Sequence, residues 1–302
     1  MRIRKLYKKL KSISGTKVTL REPLFKHTSI RIGGRASVFI IPKSEVALSQ
    51  SLRALKSRKN SIFIIGNGSN LLLPDKGIDG VVIKVGSGLD WVDIKDSIVR
   101  VGSGMPLQKL LGFLARKGLH GLEFAAGVPA SIGGAVVMNL GAYGKQIGKF
   151  VKEVKTLNFN GKPKIWKRKD MHLGYRSSIF QNKKLIVIEV TLKLRKGRPK
   201  AIKKKIERVL NMRKSTQPLS VPSAGSIFKN PQDGHAGKLI ESCGAKGLRL
   251  GDAQVSTKHA NFIINLGGAR AKDVILLMEK VRKIVKAKTN INLVPEIKIV
   301  ET

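Results

Sequence analysis

Residues 121–144 read GLEFAAGVPASIGGAVVMNLGAYG, and no other stretch constrains the fold as tightly. Six glycines, a proline and a scatter of alanines leave room for tight turns around one short helix of small residues, opening at Gly133 and Gly134. On the residues alone, two readings of that helix stay open. Its first N–H groups suit a phosphate or an isoalloxazine edge. Its bare backbone equally suits close packing against a neighbouring element.

Around this region, hydrophobic spacing lays out strands and helices. Strands are expected at residues 36–41, 61–65, 80–85 and 97–102, then at 149–159 and 185–195. Ser44 reads as the cap of a helix over 44–59, and Pro106 as the first-turn proline of a helix over 106–117, where its missing N–H costs nothing. KGRPK, 196–200, reads as a domain junction. Beyond it come a lysine-rich helix over 200–214, a helix near 236–243 and a strand at 261–266. A helix over 271–288 follows, whose Val274, Leu277, Met278, Val281, Ile284 and Val285 share one face. A strand pair near PEIKIV closes this last third as a β-α-β module of its own. At 302 residues the chain is long for one core, so two or three domains follow.

Composition narrows the function classes. Hydrophobic content of 42% fits a soluble globular protein, and no apolar run approaches the roughly 20 residues that span a bilayer. The opening MRIRKLYKKLKSISGTKVTL is basic with no apolar stretch behind it, which does not read as a secretory signal. The single Cys243 excludes an intrachain disulfide and fits a reducing compartment, so the expected location is cytoplasmic. Lys and Arg number 59 against 19 Asp and Glu, a net charge of +40, and such a chain attracts polyanions. The charges are spread along the chain, however, and 5% aromatics give little surface for stacking bases. The charge therefore reads as a bias of solvated faces, and not as a nucleic-acid site. An anionic small substrate would gain from the same field.

Several chemistries are missing. His27, His120, His172, His235 and His259 show no metal-ligand spacing, so no metal is expected. There is no G-x-S-x-G elbow and no G-x-x-x-x-G-K-[ST] loop. The three G-x-G fragments, at Gly66 and Gly68, Gly86 and Gly88, and Gly102 and Gly104, lack the third glycine and the strand-to-helix setting of a Rossmann site.

Others are present. In GNGSN, residues 66–70, Gly66 and Gly68 let consecutive N–H groups converge, and Ser69 and Asn70 add donors: a nest for a diphosphate, or an ordinary hairpin turn. GYRSSIF, 174–180, presents Arg176, whose fork binds carboxylate or phosphate, in a chain where any one arginine is commonplace. Glu296 is one of few acids and stands behind a proline. SAGSIFKNP, 223–231, sets Ser226 among small residues, either as a turn residue or as a hydroxyl with a task.

Together, HTSIRIGG (27–34), IGNGSNLLLPDKGIDGVVI (65–83), the glycine-rich run, GYRSSIF, SAGSIFKNP, GDAQVSTKHANFIIN (251–265) and LVPEIKIV (293–300) resemble the UDP-N-acetylenolpyruvoylglucosamine reductase (MurB) family, in family order from about residue 20 onward. The short interval between Arg176 and Ser226 is similar to the type II subgroup. The resemblance implies an α+β protein with an FAD-binding domain of the vanillyl-alcohol-oxidase (PCMH) type in two subdomains, 20–86 and 87–198. A C-terminal α+β substrate-binding domain, 199–302, follows, and 1–19 form a basic N-terminal segment. It implies an oxidoreductase of peptidoglycan synthesis, hence of cell-wall biogenesis, cell shape and division, with FAD as cofactor and NADPH as cosubstrate. The substrate would be UDP-N-acetylglucosamine enolpyruvate, and a monomer is favoured.

Residue by residue, the resemblance makes Arg176, Ser226 and Glu296 catalytic, with Ser226 the proton donor. It assigns Gly66, Asn67, Gly68, Ser69, Asn70, Gly127, Ser131, Gly133 and Gly134 to FAD, and Tyr175, Lys229 and Asn230 to the substrate. The family usually has glycine at the place of Ala130, alanine at that of Leu140 and phenylalanine at that of Ile30. Ala130 therefore needs a negative φ, or the flavin loop shifts.

Overall fold

A computed structural model describes residues 3–56, 62–181, 184–232 and 234–301, and the chain divides into two compact units. The first comprises residues 1–22, 37–67 and 80–211; the second comprises 23–36, 68–79 and 212–302.

The first unit is built on two sheets. One has four strands in the order Thr16–Pro23, Arg35–Pro42, Ile78–Lys84, Ile62–Ile65, the last two pairing parallel. Helices α1 (Ile3–Lys11) and α2 (Glu45–Ala54) supply its core partners, with Leu6, Leu10, Leu48 and Leu52 buried beside Val38, Ile40, Val81 and Ile83. In α1 the apolar spacing of four residues survives a dense run of lysines, because one buried stripe suffices to dock a helix. Ser44 caps α2 as expected, its Oγ accepting from Ala47 N at 3.1 Å. Residues 57–59 of the expected helix and Ser61 of the expected strand lie outside the described residues.

The second sheet is antiparallel throughout, in the order Pro163–Lys167, Val151–Asn158, Leu185–Lys193, Ile98–Gly102, Val92–Lys95. Against it pack α3 (Leu107–Arg116) and the six-residue α4 (Ile132–Val137), burying Leu110, Leu114, Ile132 and Val136 over Val101 and Val190. Pro106 stands at the cap of α3 and not in its first turn: its backbone is extended (φ −62°, ψ 131°), and its carbonyl accepts from Leu110 N at 3.0 Å. Helix α5 (Pro199–Thr216) leads out of this unit.

The second unit holds an antiparallel sheet ordered Ser223–Ser226, Phe262–Asn265, Ala253–Val255, Arg249–Leu250. On it lie α6 (Ala236–Ser242) and α7 (Ala271–Thr289), the latter burying Val274, Leu277, Met278, Val281 and Val285. The module is thus an antiparallel sheet with two helices, where β-α-β was expected. The start of α7 is capped from a distance: Asp75 Oδ1 accepts from Ala271 N at 2.7 Å and Asp75 Oδ2 from Lys272 N at 3.2 Å. The terminal strand Lys298–Ile299 pairs parallel with Leu71–Leu72. GNGSN is therefore no hairpin, since the strands on its two sides pair with different partners.

Candidate functional site

In the first unit, Gly66 and Asn67 of GNGSN meet the glycine-rich run. A Cβ added to Gly66 would stand 2.6 Å from Ser131 Oγ, closer than side chains tolerate, so the bare backbone of Gly66 is what lets the two segments touch. Asn67 Nδ2 donates to Pro129 O at 3.2 Å across the same seam. Gln108, which the sequence reading passed over, pins the run: its Nε2 donates to Val128 O at 2.9 Å and to Ala125 O at 3.2 Å, and its Oε1 accepts from Gly127 N at 3.0 Å. Gly127 has φ +82°, a turn that only glycine adopts without strain. Ala130 is absent from the positive-φ residues, so the departure from the family's usual glycine is accommodated in an ordinary conformation.

The two readings of α4 now separate. A Cβ on Gly133 would stand 2.8 Å from Ser103 Cβ, and Gly133 N donates to Ser103 O at 2.8 Å. Ile132 N donates to Met105 O at 2.9 Å, and Gly134 N approaches Ser131 Oγ at 3.4 Å. The first-turn N–H groups thus have protein partners, and Gly133 serves close packing. What remains for a ligand is the glycine surface beside Ser131, where Gly134 is exposed, together with Ser103 Oγ, which is buried with no hydrogen-bond partner among the described residues. A flat heterocycle able to accept or donate a hydrogen bond fits such a place, which accords with FAD.

The same unit sets Arg176 on a tight turn. Gly174 and Ser177 exchange backbone hydrogen bonds of 3.1 and 3.3 Å, and Arg176 takes φ +52°. Gln181 Nε2 donates to Arg176 O at 2.9 Å and to Val137 O, in the last turn of α4, at 3.0 Å. Asn139 Nδ2 donates to Gly174 O at 2.7 Å. The guanidinium lies 5.4 Å from the centre of the Tyr175 ring, and its Nη1 would be 3.0 Å from a Cβ on Gly141. A side chain at residue 141 would displace it.

In the second unit, Ser226 ends a strand immediately after a β-bulge. Ser223 pairs with Ile264 and Ser226 with Phe262, so two residues between the pairs on one strand, Ala224 and Gly225, answer one on the other, with Gly225 at φ +78° in the step. The segment beyond is joined to the chain end: Glu296 N donates to Ile227 O at 2.7 Å and Lys229 N to Val294 O at 2.8 Å. Ser226 and Glu296 are thereby brought together, 70 residues apart in sequence. The second part of GNGSN belongs here too. Asn70 Nδ2 donates to Glu296 O at 3.2 Å, Gly68 O accepts from Ser29 N at 3.1 Å, and Ser29 Oγ donates to Ser223 O at 2.6 Å. Gly68 is glycine because a Cβ would collide with His27 O at 2.1 Å. Asn230 has a structural partner, its Oδ1 accepting from Ala236 N at 3.1 Å at the start of α6.

Burial pushes the pKa of His259 below its ordinary value of 6.5, against smaller upward pulls from a backbone hydrogen bond and Glu241. Its Nδ1 accepts from Asn261 N at 3.2 Å, which requires the neutral ring at that nitrogen.

Known proteins place this geometry in context. Residues 36–164 match the family described as FAD binding domain, and residues 217–300 match the UDP-N-acetylenolpyruvoylglucosamine reductase, C-terminal domain. Over 297 residues the chain is 43% identical to UDP-N-acetylenolpyruvoylglucosamine reductase of Bacillus licheniformis, covering 98% of each. The Caldanaerobacter subterraneus protein of that name is 44% identical over 296 residues, again 98% of each chain. The crystal structure of UDP-N-acetylenolpyruvylglucosamine reductase from Thermus caldophilus superposes with a TM-score of 0.80 at 34% identity, over 95% of this chain and 99% of that one. Physcomitrella patens BBE-like 1 shares the fold alone, with a TM-score of 0.50 at 16% identity over 65% of this chain and 45% of that one.

Proposed function

The chain belongs to the UDP-N-acetylenolpyruvoylglucosamine reductase family, and on that premise we propose how its residues divide the reduction. It is an FAD-dependent oxidoreductase that uses NADPH to reduce UDP-N-acetylglucosamine enolpyruvate, a step of peptidoglycan precursor synthesis. When bound, FAD reduced by NADPH supplies the hydride that adds to C3 of the enolpyruvyl group. Gly66, Asn67, Gly127, Ser131 and Gly134 of the first unit are the residues we assign to hold it, with Gly133 packing α4 against Ser103.

Hydride addition at C3 leaves negative charge at C2, spread into the neighbouring carboxylate. Arg176 is assigned to that carboxylate, and Glu296 is assigned a catalytic role of its own. A single preorganised donor facing developing charge is worth about 3–4 kcal/mol. Saturating the double bond then needs one proton at C2. The Ser226 hydroxyl is a weak acid toward water, but a carbanion at hydrogen-bond distance is base enough to take its proton, and positioned acids contribute on the order of 10²–10⁴ in rate. Tyr175, Lys229 and Asn230 are assigned to the substrate, Lys229 and Asn230 toward its diphosphate. For Asn230 this requires the side chain to use its remaining donor, since its Oδ1 already serves α6.

The observation that carries the catalytic reading is the 2.7 Å hydrogen bond from Glu296 N to Ile227 O, which ties the proposed carboxylic residue to the segment bearing Ser226. Among the described residues no helix is long and apolar enough to cross a membrane. The cytoplasm is the compartment we propose, and a monomer the working unit. The test is spectroscopic. Purified protein should carry or take up FAD, lose the flavin band on adding NADPH and regain it on adding the enolpyruvyl substrate. A folded protein that binds no FAD would overturn the proposal, and flavin that NADPH reduces but the substrate leaves reduced would overturn the choice of substrate.

A further inference from the structure

One buried amide in the second unit has no role in the chemistry so far. Asn261 is 4% exposed, and its side chain grips both sides of one residue: Oδ1 accepts from Phe228 N at 3.0 Å, and Nδ2 donates to Phe228 O at 2.8 Å. Its own carbonyl accepts from Ile227 N at 2.9 Å. Three backbone groups just after Ser226, Ile227 N, Phe228 N and Phe228 O, thus end on one residue. The sheet explains why this is needed. The pairing of Ser226 with Phe262 is the last rung of its ladder, and the bulge before it has already broken the alternation. An amide carries one donor edge and one acceptor edge, so it continues the strand pairing where the partner strand cannot. On the other side of the segment, Ile227 O and Lys229 N are held by Glu296 N and Val294 O.

A leucine would fill the same volume without the desolvation that a buried amide suffers, and burying an amide is repaid only through its hydrogen bonds. The return on those bonds is a fixed course for residues 226–229. We propose that Asn261 is a positioning residue for Ser226, holding the strand end so that the hydroxyl meets the substrate carbon. The inference rests on reading Ser226 as the proton donor.

The test is Asn261→Asp in the full-length, FAD-loaded enzyme, with each half-reaction followed by flavin absorbance in stopped flow. A carboxylate cannot donate to Phe228 O. A protonated carboxylic acid of the same shape can, so the variant carries its own rescue. The reduction of flavin by NADPH should stay within about twofold of the parent. The reoxidation by enolpyruvyl substrate should fall about 100-fold, the loss typical of an ångström-scale misplacement, and recover as pH is lowered. In a Ser226→Ala background the same substitution should add less than about threefold, because little positioning is left to lose. Equal losses in both half-reactions, no recovery at low pH, or a full further loss on top of Ser226→Ala would each overturn the inference. If Asn261→Asp does not retain FAD, Asn261→Ser is read by the same split, and equal loss in both halves again refutes. Should Ser226→Ala alone leave reoxidation intact, the proton-donor reading fails first, a result distinct from failure of Asn261 alone.

Discussion

Replacing Gly225 by alanine separates backbone conformation from space at the proposed proton donor. An added Cβ would meet nothing nearer than Ser69 O at 3.9 Å, so there is no steric penalty to confuse the result. The whole effect lies in φ +78°, a left-handed conformation that costs a residue with a Cβ about 1–2 kcal/mol. Part of this is offset, by about 0.4–1 kcal/mol, because alanine also restricts the unfolded chain. The net destabilisation is therefore ~1 kcal/mol. The chain relieves it by rotating φ, which undoes the two-against-one bulge and re-aims Ser226.

Gly244, at φ +76° with nothing within 4 Å of its added Cβ, is the matched control. Gly225→Ala and Gly244→Ala should lose equal stability, within about 0.5 kcal/mol by urea midpoint. Only Gly225→Ala should slow flavin reoxidation by the enolpyruvyl substrate, by about 100-fold. If the two variants behave alike in both assays, the bulge does not aim the catalytic hydroxyl and the reasoning is wrong.

Two further outcomes follow from the geometry. Gly66→Ala forces Ser131 Oγ away from a Cβ that would stand 2.6 Å off, removing the α4 cap worth about 1 kcal/mol and closing the seam of glycines. FAD affinity by fluorescence titration should weaken by about tenfold or more, and unchanged affinity would count against the flavin assignment there. For His259 the sign is set by burial, which holds its folded-state pKa below 6.5. Just below that pH the unfolded chain binds the proton more readily, so stability should fall as pH drops from 6.5 toward the folded-state value and be fully present above 6.5. Urea midpoints across that window should lose this slope in His259→Gln, whose amide oxygen can still accept from Asn261 N.

Local periodicity carried most of the architecture, as the buried face of α7 illustrates: Val274, Leu277, Val281 and Val285 announce themselves at helical spacing. Leu6 and Leu10 carry the same signal in α1, where the seven other residues, rich in lysine, mask it. What spacing cannot express is a partner far along the chain. Asp75 caps α7 across 196 residues, and Asn261 holds Phe228 across 33, because the fold brings them together and no local pattern encodes it. The candidate site divides the same way. Gly68 and Gly127 were legible as turn glycines, whereas the reasons for Gly66 and Gly133, their contacts with Ser131 and Ser103, needed coordinates. Gln108, Asn139 and Gln181 were passed over because an amide that supports a loop looks like any other polar residue until its bonds are seen.

The central claim is that Ser226 delivers the proton that completes reduction. Ser226→Ala, followed by flavin absorbance through two successive mixes, tests it most directly. Reduction of the flavin by NADPH should proceed at the parent rate, and reoxidation by UDP-N-acetylglucosamine enolpyruvate should slow by on the order of 10²–10⁴. Equal slowing of both steps, or reoxidation at the parent rate, would contradict it.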